Sequence, residues 1–113
     1  MKKMKTLKKN YEFQNVLKRG KFYIGNQITI YIIKNREQEN TIGIAISSKA
    51  CHAVDRNRIK RKIRESYRLL EKKLQQGYSI VFLWNKKVPV EQANFHIISK
   101  DMETIFQKVG ILL

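Results

Sequence analysis

A nearly unbroken apolar run, YSIVFLW at positions 78–84, restricts the folds open to this chain more than any other feature. A strand with one solvated face alternates apolar and polar residues, whereas a continuous apolar run bounded by turns is typical of a buried strand. Residues 85–89 form a predicted turn directly after it. We therefore expect residues 78–84 to be a central strand, with the other elements packed around it.

Two further stretches have the β-branched and aromatic composition of strands. Alternation within residues 22–34 predicts one face made of Ile28, Ile30 and Ile32, and another made of Thr29, Tyr31 and Ile33. Gly25 marks either a bulge or a division of this stretch into two strands. Residues 41–47 are the next predicted strand, and the polar turn 35–40 makes 22–34 and 41–47 a predicted hairpin.

Three stretches are predicted to be helices. The first begins at Asn10, whose side chain can cap it, and ends at Gly20. The second runs over residues 55–76 with Gly77 as its stop, and the third over residues 91–109. Each has apolar residues at helical spacing. These are Phe13, Val16 and Leu17 in the first, Ile59, Ile63, Tyr67, Leu70 and Leu74 in the second, and Phe95, Ile98, Met102, Ile105 and Val109 in the third.

These elements predict an α+β fold with helices packed on one sheet, in the order α-β-β-β-α-β-α if Gly25 divides its stretch. The 113 residues fit one domain, 1–113, with residues 1–9 as a basic N-terminal arm. No run of 18 apolar residues is present, and MKKMKTLKKN lacks the apolar part of a secretory signal. A single cysteine, Cys51, cannot form an internal disulfide, which agrees with a reducing cytoplasm.

The charge is large and localised. Lys and Arg outnumber Asp and Glu by 24 to 9, a formal net charge of +15, and residues 1–21 and 55–73 hold 17 of the 24 basic residues. An ordinary solvated surface intersperses the two signs. A charge of this size indicates a polyanionic partner, with nucleic acid favoured over an anionic membrane.

The second helix aligns its charges opposite its apolar stripe. At 100° per residue, one side carries a row made of Asn57, Arg61, Arg64, Arg68 and Lys72. Like charges three or four residues apart weaken an isolated helix by a few tenths of a kcal/mol per pair. We expect bound phosphates to offset this repulsion, because the planar fork of arginine suits bidentate contacts with them.

Two other uses of a basic helix fit less well. A helix lying on a membrane surface would carry Trp or Phe on its apolar face, whereas this face has the pattern of an ordinary core stripe. A DNA recognition helix needs a partner helix joined by a short turn, and the preceding segment is predicted to be strand and loop. RNA is therefore the favoured partner.

Residues 53–65, AVDRNRIKRKIRE, closely resemble the RNR signature of the protein subunit of bacterial ribonuclease P. The resemblance covers nearly the whole chain. It extends to LKKN at 7–10, EFQ at 12–14, the strand around Ile30 and Tyr31, GIAIS at 43–47, Lys49, and the last helix with Leu112 and Leu113.

The resemblance implies the ribosomal-protein-S5-domain-2-like fold, an α+β two-layer sandwich with a left-handed βαβ crossover. It also implies a ribonucleoprotein endoribonuclease that removes the 5′ leader of precursor tRNA. The RNA subunit of that enzyme holds the catalytic Mg²⁺, and the small protein promotes leader binding, metal affinity and RNA folding. The implied partners are the RNA subunit and precursor tRNA, with no membrane and no stable protein partner.

By position, the resemblance assigns two sets of residues. The RNA subunit would contact Arg56, Asn57, Arg58, Lys60, Arg61, Arg64 and Arg68. A cleft between the first helix and the sheet would hold the single-stranded leader at Asn10, Phe13, Leu17 and Tyr31. Aromatic faces stack on bases without demanding a sequence, which suits leaders that vary. As an alternative, Phe13 and Leu17 are ordinary core residues.

Four positions depart from the family pattern. Cys51 and His52 stand where the family usually has Gly-Asn, which puts the tight loop before the signature in doubt. Ser48 replaces a common lysine. Leu17 replaces a common aromatic residue, which would weaken stacking in the cleft.

The residue pattern does not indicate a protein catalyst. A protein nuclease usually needs a carboxylate cluster for Mg²⁺ or a pair of histidines, but the nine acids are scattered and His52 and His96 belong to different elements. Cys51 beside His52 is poorly placed for a thiolate–imidazole pair and lacks a zinc-ligand set. Two rival functions are a structural RNA-binding module of ribosomal type and a stand-alone metal-dependent ribonuclease.

Overall fold

The computed structural model describes residues 5–47 and 52–113, which form five strands and three helices. The strands are β1 (Lys5–Thr6), β2 (Lys21–Ile24), β3 (Ile28–Lys34), β4 (Thr41–Ala45) and β5 (Tyr78–Trp84). The helices are α1 (Asn10–Arg19), α2 (Ala53–Leu70) and α3 (Phe95–Val109), and 3₁₀ turns occupy Glu71–Lys73 and Val90–Gln92. The α+β class is confirmed, and the short strand β1 precedes the predicted order.

β5 is the middle strand of one sheet, in the order β1-β4-β5-β3-β2. It pairs parallel with β4 and antiparallel with β3. Ile80, Val81 and Phe82 are each 0% exposed, so both faces of β5 are covered, as the apolar run predicts. The parallel β4–α2–β5 crossover implied by the resemblance is present, and its left hand stays a prediction.

The predicted hairpin between residues 22–34 and 41–47 is wrong, because β5 lies between β3 and β4. A strand that is buried on both faces must pair along both edges to satisfy its backbone, and β3 and β4 provide those edges. The hairpin is formed instead by β2 and β3, so Gly25 lies where the 22–34 stretch divides into two strands.

The buried side chain of Asn40 fixes the position of β4 beside β5. Its amide donates to the carbonyl of Gln75 at 2.9 Å, and its oxygen accepts the backbone N–H of Tyr78 at 2.8 Å. The start of β4 is thereby bound to the segment that leads into β5. The loop 35–40 thus spans the width of the intervening strand.

α2 and α3 enclose the main core on one face of the sheet. The Phe82 ring lies with its centroid 5.9 Å from that of Tyr67 on α2 and 6.4 Å from that of Phe106 on α3. The predicted apolar stripe of α2 is confirmed, since all five of its residues are buried. On α3 the buried residues include Ile98, Met102, Ile105 and Phe106, while Phe95 and Val109 are only partly buried.

The ends of α1 and α2 differ from the predicted ones. Asn10 is the first residue of α1 rather than its cap, and Lys9 occupies the capping position without a side-chain hydrogen bond. α2 stops short of residue 76, because Leu74 is extended and forms a β-bridge with Leu112. Gly77 has a φ of +100° and turns the chain into β5 instead of ending the helix.

The third helix starts four residues later than predicted, at Phe95. The side chain of Asn94 accepts the backbone N–H groups of His96 and Ile97, which satisfies two donors that a helix start leaves unpaired. The preceding residues 90–92 form the separate 3₁₀ turn.

α1 lies on the opposite face of the sheet from α2 and α3. Alternation along β5 directs Ser79, Val81 and Leu83 away from the main core. Val16 of α1 and Val81 are both buried there, outside the main core cluster. This second face carries the residues assigned to the leader cleft. In the described ranges, no helix combines the length and apolar character needed to cross a bilayer.

Candidate nucleic-acid interface

The side of α2 opposite the core is a row of cations, the cationic face, made of Arg61, Arg64 and Arg68 with Asn57 at one end and Lys72 at the other. All five side chains are exposed. No ion pair joins the three arginines to another residue of the described ranges. No described acidic side chain therefore neutralises the three arginines, and the row lies opposite the core as the helical spacing predicts.

The first turn of α2 is partly satisfied within the helix. Arg58 Nη2 lies 3.2 Å from Asp55 Oδ1, an exposed pair that adds little stability but orients the guanidinium. Arg56 and Lys60 are half-buried, so these two assigned residues point closer to the sheet than the row does. Of the seven residues assigned to the RNA subunit, five are therefore exposed and two are half-buried. The exposed ones are Asn57, Arg58, Arg61, Arg64 and Arg68.

One flank of α1 carries the three helical residues assigned to the leader. Asn10, Phe13 and Leu17 follow each other at +3 and +4, so they lie on the same side of the helix. Asn10 is exposed, whereas Phe13 and Leu17 are half-buried. Val16 carries the buried contact with the sheet. The two apolar side chains are therefore neither full core residues nor fully solvated.

Gly43 lets the Phe13 ring approach the sheet. A Cβ at position 43 would lie 2.6 Å from both Cε1 and Cζ of Phe13, closer than such atoms come in proteins. The ring therefore lies against the bare backbone of β4. The sequence around Gly43 does not indicate this role. It becomes apparent only from the contact between Phe13 of α1 and β4.

The strand register extends from Gly43 to an aromatic pair on the same face. Gly43 pairs with Val81, Val81 with Tyr31, and Tyr31 with Phe22. Val81 is buried, Tyr31 is half-buried and Phe22 is exposed, so the solvent exposure of the side chains on this face increases towards the β2 edge. Tyr31 thus lies on β3, which α1 contacts together with β5, and on the face that carries Phe13. We define this surface, between the Phe13 flank and the Tyr31 row, as the cleft.

The cationic face and the cleft belong to opposite faces of the sheet. The chain after α2 is bound to the start of β4 through Asn40. α2 has 18 residues, about 27 Å at 1.5 Å per residue, and follows β4 directly in the chain. Its N-terminal end, with Arg56 and Arg58, therefore lies at the sheet end where β4 stops.

The other flank of α1 borders a groove of about 830 Å³. Its walls include Glu12 and Arg19 of α1, and Lys5, Glu37 and Thr41 from the sheet side. Lys5 Nζ donates to Glu37 Oε2 at 2.7 Å, and this hydrogen bond raises the pKa of the lysine. Its lining holds five Lys or Arg residues and two Glu, so the groove is net positive but contains an internal ion pair, unlike the arginine row of the cationic face.

The described residues contain no group of three His, Cys, Asp or Glu side chains placed to hold a metal ion. His52 precedes α2 and His96 is in the first turn of α3, so they belong to separate elements. Ser48, Lys49 and Cys51 lie outside the described residues.

Comparison with known proteins gives a consistent result. The family model described as Ribonuclease P matches residues 1–110. The chain is 48% identical to the ribonuclease P protein component of Clostridium botulinum strain Loch Maree over 106 residues, 93% of this chain and 94% of the relative. It is 37% identical to the corresponding protein of Clostridioides difficile strain 630 over 108 residues, 95% and 93% of the two chains.

Solved structures give the same family. The Staphylococcus aureus RNase P protein superposes with a TM-score of 0.82 at 26% identity, covering 98% of this chain and all of that one. The RNase P protein of Thermotoga maritima gives 0.81 at 24% identity, covering 92% and 96%, and shows the same fold.

Proposed function

The chain belongs to the ribonuclease P protein family, and on that premise we propose that it binds the catalytic RNA subunit and the 5′ leader of precursor tRNA. Membership makes it a component of ribonuclease P, an endoribonuclease of tRNA processing. In this proposal residues 1–113 act as one ribonuclease P protein domain in the cytoplasm. Residues 1–9 are its basic arm, and Lys5–Thr6 of this arm pair with β4 as β1.

The exposed arginine row of α2 is the observation that carries the proposal. Three guanidinium groups, those of Arg61, Arg64 and Arg68, lie on one side of a rigid helix without an ion pair to another described residue. RNA phosphates compensate such repulsion, and each contact releases counterions, so binding weakens as salt rises. We assign the RNA subunit to this face, with Arg56, Asn57, Arg58 and Lys60 at its N-terminal end.

The cleft is the proposed site of the leader. Half-buried Phe13, Leu17 and Tyr31 offer apolar and aromatic surface on a fixed scaffold, and Asn10 adds an exposed amide at the start of α1. A base can stack on such surface whatever its identity. Leu17 cannot stack as an aromatic residue does, so Phe13 and Tyr31 carry most of the proposed contact.

The chemistry of cleavage is assigned to the RNA subunit, which would hold Mg²⁺ and so activate the attacking water. Among the described residues, no three His, Cys, Asp or Glu side chains lie together as a metal site would require. The part of this chain is to neutralise phosphate charge and to hold the leader, which increases substrate affinity and lowers the Mg²⁺ concentration that cleavage requires.

Precursor-tRNA cleavage at low Mg²⁺ tests the proposal. Four samples are compared: the protein, a bacterial ribonuclease P RNA, both together, and neither. We expect cleavage at the mature 5′ end only when both are present. Assembly of the heterologous RNA with the protein is checked separately by filter binding or gel shift.

Two results would favour the rivals. Cleavage by the protein alone in Mg²⁺, abolished by one acidic substitution, would identify a stand-alone ribonuclease. Assembly with the RNA subunit without any gain in cleavage would identify a structural RNA-binding module of ribosomal type.

A further inference from the structure

An aromatic pair extends the cleft to the free edge of the sheet. The Phe22 ring lies with its centroid 5.4 Å from that of Tyr31, with 30° between the ring planes, so the two rings stack across β2 and β3. Phe22 is nevertheless 57% exposed. One ring of the stack therefore meets the cleft residues and the other meets solvent.

Hairpin packing explains the contact but not the exposure. A cross-strand aromatic pair stabilises a hairpin by about 0.2–1 kcal/mol, which accounts for Phe22 lying against Tyr31. More than half of Phe22 remains in water, next to Ile24 on the same face, which is 72% exposed. Exposed apolar side chains grouped on one face of an edge strand are candidates for an interaction site.

The charge around the pair favours an RNA occupant. Residues 13–36 contain five Lys or Arg and no Asp or Glu, and two of them, Lys18 and Arg19, are exposed at the end of α1 just before β2. Lys21 directly precedes Phe22 but alternation along β2 directs it to the opposite face of the sheet. An unpaired nucleotide combines a flat π face with a phosphate, which matches an exposed ring in a positive field. The surface is also continuous with the cleft through Tyr31.

We propose that Phe22 forms a stacking subsite for one additional leader nucleotide, beside the nucleotide held at Tyr31. The inference rests on the proposed function, because it extends the same leader path by one base. Phe22 would then determine how many leader nucleotides the protein contacts. Unlike Asn10, Phe13, Leu17 and Tyr31, it comes from the geometry of the hairpin alone.

Fluorescence of 2-aminopurine, placed at successive leader positions of a precursor tRNA, tests the subsite in the reconstituted holoenzyme. Stacking quenches this base, so the readout is independent of cleavage. We expect Phe22→Ala to remove the quenching at one position and to weaken binding of leader-bearing substrate about fivefold or more, the equivalent of one stacked base. Binding of mature tRNA stays unchanged.

Conservative variants separate stacking from packing. Phe22→Tyr keeps an aromatic face and should bind the leader as the unaltered chain does. Phe22→Leu keeps apolar contact with Tyr31 but offers no flat ring, so it should lose the quenching as Phe22→Ala does. Tyr11→Ala is the matched control, because Tyr11 is an aromatic residue 66% exposed on the solvent side of α1.

Three results would overturn the subsite. Full leader affinity or full quenching in Phe22→Leu would reduce Phe22 to a packing residue. Intact leader binding in Phe22→Ala, together with loss of self-association in sedimentation, would show that a second copy covers the edge. Loss of leader binding in Tyr31→Ala but not in Phe22→Ala would reject the subsite alone. Equal binding of leader-bearing and mature tRNA by the unaltered protein would instead reject the leader cleft itself.

Discussion

The carboxylate of Asp101 on α3 accepts the backbone N–H of Gln27 at 2.8 Å, although 74 residues separate the two in the chain. The same side chain accepts the N–H groups of Asn26 and Ile28, at 2.9 and 3.1 Å. Asp101 is 3% exposed. One buried carboxylate on the helix therefore satisfies three consecutive donors in the turn between β2 and β3, and so holds the hairpin that carries Phe22 and Tyr31.

Asp101→Ala should lower the free energy of unfolding by at least about 2 kcal/mol, because it leaves buried N–H groups without an acceptor. Urea unfolding with an unchanged slope measures this loss. Glu103→Ala is the control, since Glu103 is an exposed acid on the same helix. Equal stability of the two variants would contradict the anchoring role of Asp101.

Gly43→Ala should displace the Phe13 ring, since the added methyl group would come within 2.6 Å of two ring carbons. Overpacking of this kind costs about 1–3 kcal/mol of stability. Leader affinity should fall with it, because Phe13 moves out of the cleft. A double variant, Gly43→Ala with Phe13→Leu, should recover stability but not leader affinity. Unchanged stability in the single variant would mean that the ring has room to move.

Arg64→Ala and Arg68→Ala should each weaken binding to the RNA subunit. The slope of log affinity against log salt should fall by about one for each phosphate that the variant no longer binds. Arg36→Ala removes the same charge from the exposed loop 35–40 and serves as the control. A slope that changes equally in all three variants would show that net charge, rather than the cationic face, determines binding.

Tyr31→Ala should weaken leader-bearing precursor tRNA relative to mature tRNA by about 1–3 kcal/mol, the contribution of one stacked base. Tyr31→Phe keeps the ring and should show little loss. Both affinities are measured with the holoenzyme in Ca²⁺ in place of Mg²⁺, to slow cleavage. An equal loss for the two RNAs would exclude Tyr31 from leader recognition.

Stability should fall as pH rises from about 10 to about 12, through the buried hydroxyl of Tyr67. Burial raises the pKa of Tyr67 from 10.0 to about 12, with a hydrogen bond to Asn40 acting in the opposite direction. Above pH 10 the unfolded chain loses this proton while the folded chain keeps it, so unfolding becomes more favourable. Below pH 10 the contribution is fully present.

Tyr67→Phe removes this proton and should have a flatter dependence of unfolding free energy on pH in that window. Lysines titrate there in both proteins, so the difference between the two curves isolates Tyr67. Parallel curves from pH 9 to pH 12 would show that the hydroxyl does not stay protonated on folding.

Local periodicity was enough to predict the three helices, the central strand and the buried face of α2. The spacing of Ile59, Ile63 and Tyr67 identified the core side of α2, and its opposite side is the exposed arginine row. The apolar run 78–84 predicted a central strand, which β5 is. These patterns depend on neighbours within two turns or one strand, and such neighbours are visible in the sequence.

The strand order and the details of the cleft depend on contacts between distant residues. A polar loop at 35–40 is compatible both with a tight hairpin and with a step across β5, and only the second occurs. Gly43 faces a ring from another element, and Asp101 binds a turn 74 residues away. Neither has a local signature, because glycine and aspartate at such positions also occur in ordinary loops and on helix surfaces.

Phe22 is an intermediate case. Its position opposite Tyr31 follows once Gly25 is known to divide the 22–34 stretch into a hairpin. If the stretch were one long strand, Phe22 would lie far from Tyr31 along the chain direction. The Phe22–Tyr31 pair can therefore be predicted from the sequence only if Gly25 is assigned to a turn rather than to a bulge.

The position of β5 also determines when this chain can fold during its synthesis. Residues 1–77 leave the ribosome before β5 does, and they include 20 of the 24 basic residues. Until β5 has been synthesised, β3 and β4 each lack a neighbouring strand along one edge. Ile30, for example, cannot pair until Phe82, 52 residues later in the chain, is available. Closing loops of that length makes folding slow compared with a helical bundle. The nascent chain therefore presents most of its positive charge while it is still unfolded, and only nearly complete synthesis allows its sheet to close.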